Sequence, residues 1–188
     1  MSKRLSRIAL DCGFTRAGEL TPGSLKPRPE VRSACAADKC KSYGKSWSCP
    51  PVCGSLEDCE KIMRAFERGL ILQTSGSLED SFDYEGIQKI GDAHREHLRK
   101  FQAALIALFA SVDSAAKNIP PRGFLLLGAG ACVNCEQCAY PAAPCRFPAK
   151  MIMSMEAAGL VVSEVCAANN IPYYYGPNTL TYVGCALF

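Results

Sequence analysis

Long hydrophobic runs are missing from this 188-residue sequence. The longest, Ala103 to Ala110, falls far short of the ~20 residues a membrane-spanning helix needs, which argues against a membrane partner. No secretory leader is readable either. The basic start at Lys3 and Arg4 leads to Ile8, Ala9 and Leu10, but Asp11 interrupts at once. Strong charge of one sign is also lacking: a net charge of +3, with no basic block longer than two residues, argues against nucleic acid. Histidine is scarce at two residues and tryptophan at one. There is no P-loop, no His-Glu-x-x-His and no Gly-x-Ser-x-Gly, and Gly128-Ala129-Gly130 lacks the third glycine of a dinucleotide fingerprint. These absences leave a chain that reads as soluble and cytoplasmic, with no recognisable substrate motif.

What the sequence has is cysteine, twelve in all. In a reducing cytosol a disulfide scaffold is not expected, and a chain of this length builds a core without staples. Metal ligation and redox chemistry remain. Eight of the twelve fall into two dense groups. Cys35, Cys40, Cys49 and Cys53 are spaced C-x4-C-x8-C-x3-C; Cys132, Cys135, Cys138 and Cys145 are spaced C-x2-C-x2-C-x6-C. The second spacing is close to the run that folds around a cubane iron–sulfur cluster, and Cys145-Arg146-Phe147-Pro148 stands near the ferredoxin Cys-Pro ending. The gap before Cys145 is longer than in that run, so Cys145 binds the same cluster, a neighbouring one or none. Gly128 and Gly130 allow the backbone to approach closely. A structural zinc site is the alternative, but three closely spaced cysteines fit the usual two-knuckle layout poorly.

In the first group Pro50 holds an extended loop after Cys49, and Tyr43 and Trp47 are candidates to roof the site. Either Cys53 or Cys59 completes the set; the loop position favours Cys53, since Cys59 shares a helix face with Leu56, Met63 and Phe66. With neither bound, three thiolates leave one iron open to a small-molecule substrate. Arg32, Lys39, Lys41 and Lys45 flank this group, and Arg146 and Lys150 the other. Two cubanes of charge about −2 each would bring the +3 of the bare chain to about −1.

The stretch Cys40-x2-Tyr43-Gly44-x2-Trp47-x-Cys49-Pro50-Pro51, with Cys132-x2-Cys135-x2-Cys138, Cys145-Arg146-x-Pro148 and Met155-Glu156-Ala157 downstream, resembles a prokaryotic family of predicted metal-binding proteins of unknown function. The similarity spans the chain from about Arg32 to its end. It implies a metal, iron–sulfur in character, in mostly anaerobic microbes, and no assigned reaction.

The rest of the pattern predicts a single domain over 1–188. Its class is α/β, an α+β sandwich with a small mixed sheet packed with helices and two cysteine-rich cluster-binding loops at about 32–54 and 128–148. Helices are expected over 4–12, from Ser55 to about Arg68, from Tyr84 to about Asn118, from Met151 to Ala158 and on to Ala168. Strands are expected at Leu70–Thr74, Arg122–Leu127, Tyr173–Tyr175 and Leu180–Leu187, with an irregular surface connection from Pro22 to Pro29. One of Tyr173, Tyr174 and Tyr175 is a candidate to line a cleft. His94 and His97 fall on the apolar stripe of their helix and read first as core, with a proton shuttle as the sharper reading. Cys12, Cys166 and Cys185 read as small core hydrophobes. The leading functional expectation is two 4Fe–4S clusters serving electron transfer to a protein redox partner. The alternatives are a redox enzyme with an open iron in a three-cysteine cluster, and a structural zinc module.

Overall fold

A computed structural model describes residues 1–110 and 123–188. Its centre is set by two strands that alternate between two apolar faces, β2 (Gly69–Ser77) and β5 (Thr179–Leu187). Successive strand residues point to opposite sides of a sheet, so Leu70 and Leu72 face one way and Ile71 the other. Against the Leu70 face pack α1 (Ser2–Asp11) and α4 (Tyr84–Phe109), bringing Leu5, Ala9, Leu98, Phe101 and Leu105. Against the Ile71 face pack α3 (Leu56–Arg64) and α5 (Val162–Ala168), bringing Cys59, Met63, Val165 and Cys166. The result is an α+β sandwich of three layers. The sheet is completed by β1 (Arg16–Leu20), β3 (Leu125–Gly128) and β4 (Met153–Ser154) in the order β1-β2-β5-β3-β4. All neighbours are antiparallel except β3 and β4, which run parallel. Among the described residues no helix is long and apolar enough to cross a membrane.

Helices α1 and α5 and strands β2, β3 and β5 lie within a few residues of where the sequence places them, and α3 starts as expected but ends at Arg64 rather than about Arg68. The capping box at Ser55 forms, with Ser55 Oγ accepting from the Asp58 N–H at 3.0 Å. Two expectations are corrected. Residues 151–158 are not a helix: Met153 and Ser154 pair with Leu127 and Gly128 as β4, and a tight turn follows, fixed by Ser154 Oγ accepting from Ala157 N. Tertiary pairing overrides the helical propensity of that Met- and Ala-rich run. Tyr173–Tyr175 form no strand. They have no partner strand, and Tyr175 instead donates its hydroxyl to Gln73 Oε1 at 2.6 Å. Two elements were not expected: β1, and a further helix α2 (Pro29–Cys35), in which Pro29 occupies the first turn, where its missing N–H costs nothing. Between them the Pro22–Pro29 connection includes a 3-10 turn whose Pro22 is buried, as is Leu25 just after it. The expected extension of α4 toward Asn118, its end at Pro120 and the start of a strand at Arg122 lie outside the described residues.

Candidate metal and substrate site

A parallel strand pair needs a crossover, and a helix usually supplies it. Here β3 and β4 are joined by residues 129–152, which contain one 3-10 turn, Pro148–Lys150, and otherwise no regular element. Loops of this length without internal structure are uncommon in compact domains and are generally functional. This one carries the second cysteine group. Cys132, Cys135, Cys138 and Cys145 all line one cavity of about 20 Å³, together with Ser46, Trp47, Ser48, Asn134, Phe147 and Met151. The loop is tied by Arg146 donating to Gln137 O at 2.8 Å, Arg99 donating to Val133 O at 2.6 Å, and Asn134 donating to Lys150 O.

Trp47 belongs here too. Its indole N–H donates to Ala143 O at 3.0 Å and its ring meets Tyr140 edge-on at 5.0 Å. The expectation that it roofs the first group is therefore corrected: the chain turns between Tyr43 and Cys49, sending Trp47 to the second loop. Cys138 has the most distinctive surroundings. Burial pushes its thiol up, but hydrogen bonds from the backbone of Tyr140 and Trp47, the Ser46 hydroxyl and the Ala139 backbone outweigh it and hold it below the ordinary thiol value. The thiolate is the form that binds metal.

The first group occupies the run between the end of α2 at Cys35 and the start of α3 at Leu56. Cys35, Cys40 and Cys49 line a second, much larger cavity of about 390 Å³, with Tyr43 and Pro50 beside them. Its other walls are Ala129–Ala131 at the mouth of the second loop, Ser154, Glu156, Ala157 and Tyr173, and the residues 180–183 of β5. Cys53 is absent from its lining: its Sγ lies 4.0 Å from Ala157 O, and its charge neighbours are Arg32, Cys59 and, within its own group, Cys35 and Cys49. Cys59 is buried on α3 with Arg32 Nη2 3.6 Å from its sulfur. Burial pushes the thiols of Cys35, Cys49, Cys53 and Cys59 up, so metal binding to any of them would release protons. Burial likewise pushes the half-buried Glu156 carboxyl up. Among the described residues no three His, Cys, Asp or Glu side chains are arranged to hold a single metal ion as they stand.

The flanking cations divide by role. Lys45 pairs with Asp38 at 3.4 Å, whereas Arg32 is structural cement. Its guanidinium donates to Ala157 O and to Gly54 O, joining α2, the loop before α3 and the turn after β4. Arg32→Met strands those carbonyls and is expected to cost about 2 kcal/mol in a urea titration, the usual scale for charged hydrogen bonds. An unchanged midpoint would refute this role.

His94 and His97 line neither cavity. Both place Nδ1 3.0 Å from Thr74 Oγ1, and His94 stacks on Tyr182 at 5.9 Å inside the core. Cys166 and Cys185 are core residues whose thiols burial pushes up to about 11 and about 12. Cys12 is half-buried against the α1–α4 core. Sequence reasoning assigned no site role to Glu156, quoted only within the Met155-Glu156-Ala157 motif, or to Ser46 and Ser48. Glu156 stood inside a run read as helix, and a serine between cysteines carries no spacing signal.

A family model described as "Predicted metal-binding protein (DUF2284)" matches residues 18–188. No curated protein and no solved structure matches the chain.

Proposed function

Because the chain belongs to the DUF2284 family of predicted metal-binding proteins, we propose that its two cysteine loops hold iron–sulfur clusters and that the protein is a redox enzyme acting on a small molecule. The observation that carries this reading is the 390 Å³ cavity, whose lining includes three cysteines of the first group rather than four. Cys35, Cys40 and Cys49 would hold a cluster there and leave one iron free for substrate, with Cys53 outside that lining beside Arg32. Such a cluster supplies one-electron reduction and a Lewis-acidic iron. Glu156 lines the cavity with a carboxyl that burial pushes up, which places a proton-exchanging oxygen beside a substrate that gains electrons. The described lining has this carboxyl and no cationic side chain, which favours uncharged substrates over anions.

Cys132, Cys135, Cys138 and Cys145 are the ligands of a second 4Fe–4S cluster that stores electrons. Four cysteines at C-x2-C-x2-C-x6-C spacing around one cavity suit a group with its own sulfide bridges better than the two-knuckle layout of zinc. A protein redox partner supplies the electrons, and the exposed stretches 141–144 and 146–150 beside Cys145 support its access. Electron transfer alone is the second reading, favoured by that same exposure.

The test is iron, acid-labile sulfide and zinc per chain on anaerobically purified protein, followed by EPR of the reduced protein with and without cyanide. About eight iron and eight sulfide, with one signal altered by cyanide, is expected. Zinc without sulfide would overturn the redox reading. An unaltered signal would leave a closed electron carrier.

A further inference from the structure

The two cysteine groups lie in loops far apart in sequence, yet one short segment belongs to both. Ser46 and Trp47 face the second group, where the Ser46 hydroxyl and the Trp47 backbone hydrogen bond to Cys138. Two residues later Cys49 faces the first cavity. Between them Ser48 is fully buried at 0% exposure. Its hydroxyl oxygen accepts from the Cys132 N–H at 3.0 Å, and it lies 3.0 Å from Ser46 Oγ and 3.9 Å from Cys49 Sγ. Burying two hydroxyls costs free energy unless both are bonded, and here every partner belongs to this bridge or to a cysteine of one group. The two groups also share a wall, since Ala129–Ala131, which lead into Cys132, line the first cavity.

We infer that the Ser46–Cys49 segment couples the two groups into one redox unit, with Ser48 as the positioning residue that holds Cys49 and Cys132 against each other. The inference rests on the two-cluster reading above. With clusters held by both groups, one electron would pass from the Cys132–Cys138 side to the Cys49 side, the second cluster being oxidised by one electron and the first reduced by one. No bond forms or breaks and no proton needs to move. An external one-electron donor, dithionite in the test, then restores the second cluster. Ser48 contributes in two ways. It fixes the distance between the groups, and its O–H, when directed at the Cys49 sulfur, stabilises added negative charge on the first cluster, one of the levers that set cluster potential.

The experiment is a dithionite redox titration of anaerobic holoprotein followed by EPR, on wild type and Ser48→Ala, with iron and sulfide measured on the same samples. Fully reduced wild type is expected to give broadened, mutually interacting signals rather than the sum of two isolated ones. Ser48→Ala is expected to keep its iron, move the potential of the cyanide-sensitive signal downward and slow electron transfer between the groups at least about tenfold. Additive wild-type signals, or unchanged potentials and rates in Ser48→Ala, would overturn the inference. If Ser48→Ala loses iron, the wild-type spectrum decides alone: interacting signals uphold the coupling and additive ones end it. About eight irons with additive signals is a failure of the coupling only. Fewer than eight irons in wild type removes the two-cluster reading and the inference with it.

Discussion

Cys138→Ala is expected to strip about four iron and four sulfide from the anaerobically prepared protein and to destabilise the fold with them. Two arguments converge on this position. The first is chemical. Two aromatic-residue N–H groups, the Ala139 N–H and the Ser46 hydroxyl gather on its sulfur, so the thiolate is stabilised before any metal arrives. The second is topological. Residues 129–152 are the crossover between β3 and β4, and they hold no helix that could pack on the sheet as crossovers ordinarily do. Whatever gathers the four thiols therefore does the work that apolar burial does elsewhere, and its binding energy becomes folding energy. Loss of metal in Cys138→Ala should then show as faster hydrogen exchange at Met155 N, which donates to Gly128 O, and as a lower urea midpoint. Cys166→Ala, in the α5 core away from both cavities, serves as the control and should keep its iron. Full iron content in Cys138→Ala would sink the assignment of this loop.

Much of this was legible in the sequence, because cysteine spacing and strand alternation are local signals. The two groups, the central strands and the capped helix at Ser55 follow from patterns within a dozen residues. What failed was decided by distant partners. Met153 and Ser154 carry a helical composition, but an open strand edge at Leu127 and Gly128 claims them. Tyr173–Tyr175 carry β propensity, but among the described residues no strand pairs with their backbone. Strand β1 hides behind Gly18, whose interior position looks like a breaker. A Cβ at that position would press on the tip of the Ile171 side chain. The roles of Glu156 and of the serine bridge are hidden for the same reason. Their meaning lies in what the fold brings opposite them.

The placement of the cavity also follows from the sheet. Strands β3 and β4 run parallel and end together, at Gly128 and Ser154, while β5 runs the other way and begins beyond them. The cavity fills the space outside those carboxyl ends, floored by residues 180–183 of β5, the position where open α/β sheets ordinarily bind their ligands. The first cysteine loop closes it from the far side. The sheet therefore supplies a rigid floor, and the two loops supply chemistry.

Acid should unfold this protein through a residue outside both cavities. His94 is 1% exposed, its Nδ1 bonds to Thr74 Oγ1, and its Nε2 has no partner among the described residues. Burial above all, then the charges of His97 and Arg95, lower its pKa from 6.5 to about 3. Because the folded value lies below the unfolded one, the unfolded chain takes up the proton first. Stability is complete above about pH 6.5 and drains away as the pH falls toward 3. At about 1.4 kcal/mol per unit the full span is worth about 5 kcal/mol, a third or more of the stability of an ordinary domain. His97 is lowered in the same direction, also by burial first, and adds to the slope. Metal loss in acid would steepen the profile too, so the measurement is a difference: urea midpoints of wild type and His94→Gln between pH 7.5 and 4. The variant starts less stable, because it disturbs the Thr74 bond and the stack on Tyr182, yet its profile is expected to be flatter by about 3 kcal/mol over that interval. Parallel profiles would show that His94 takes up its proton in the folded state without cost, and that acid acts on this fold through other groups.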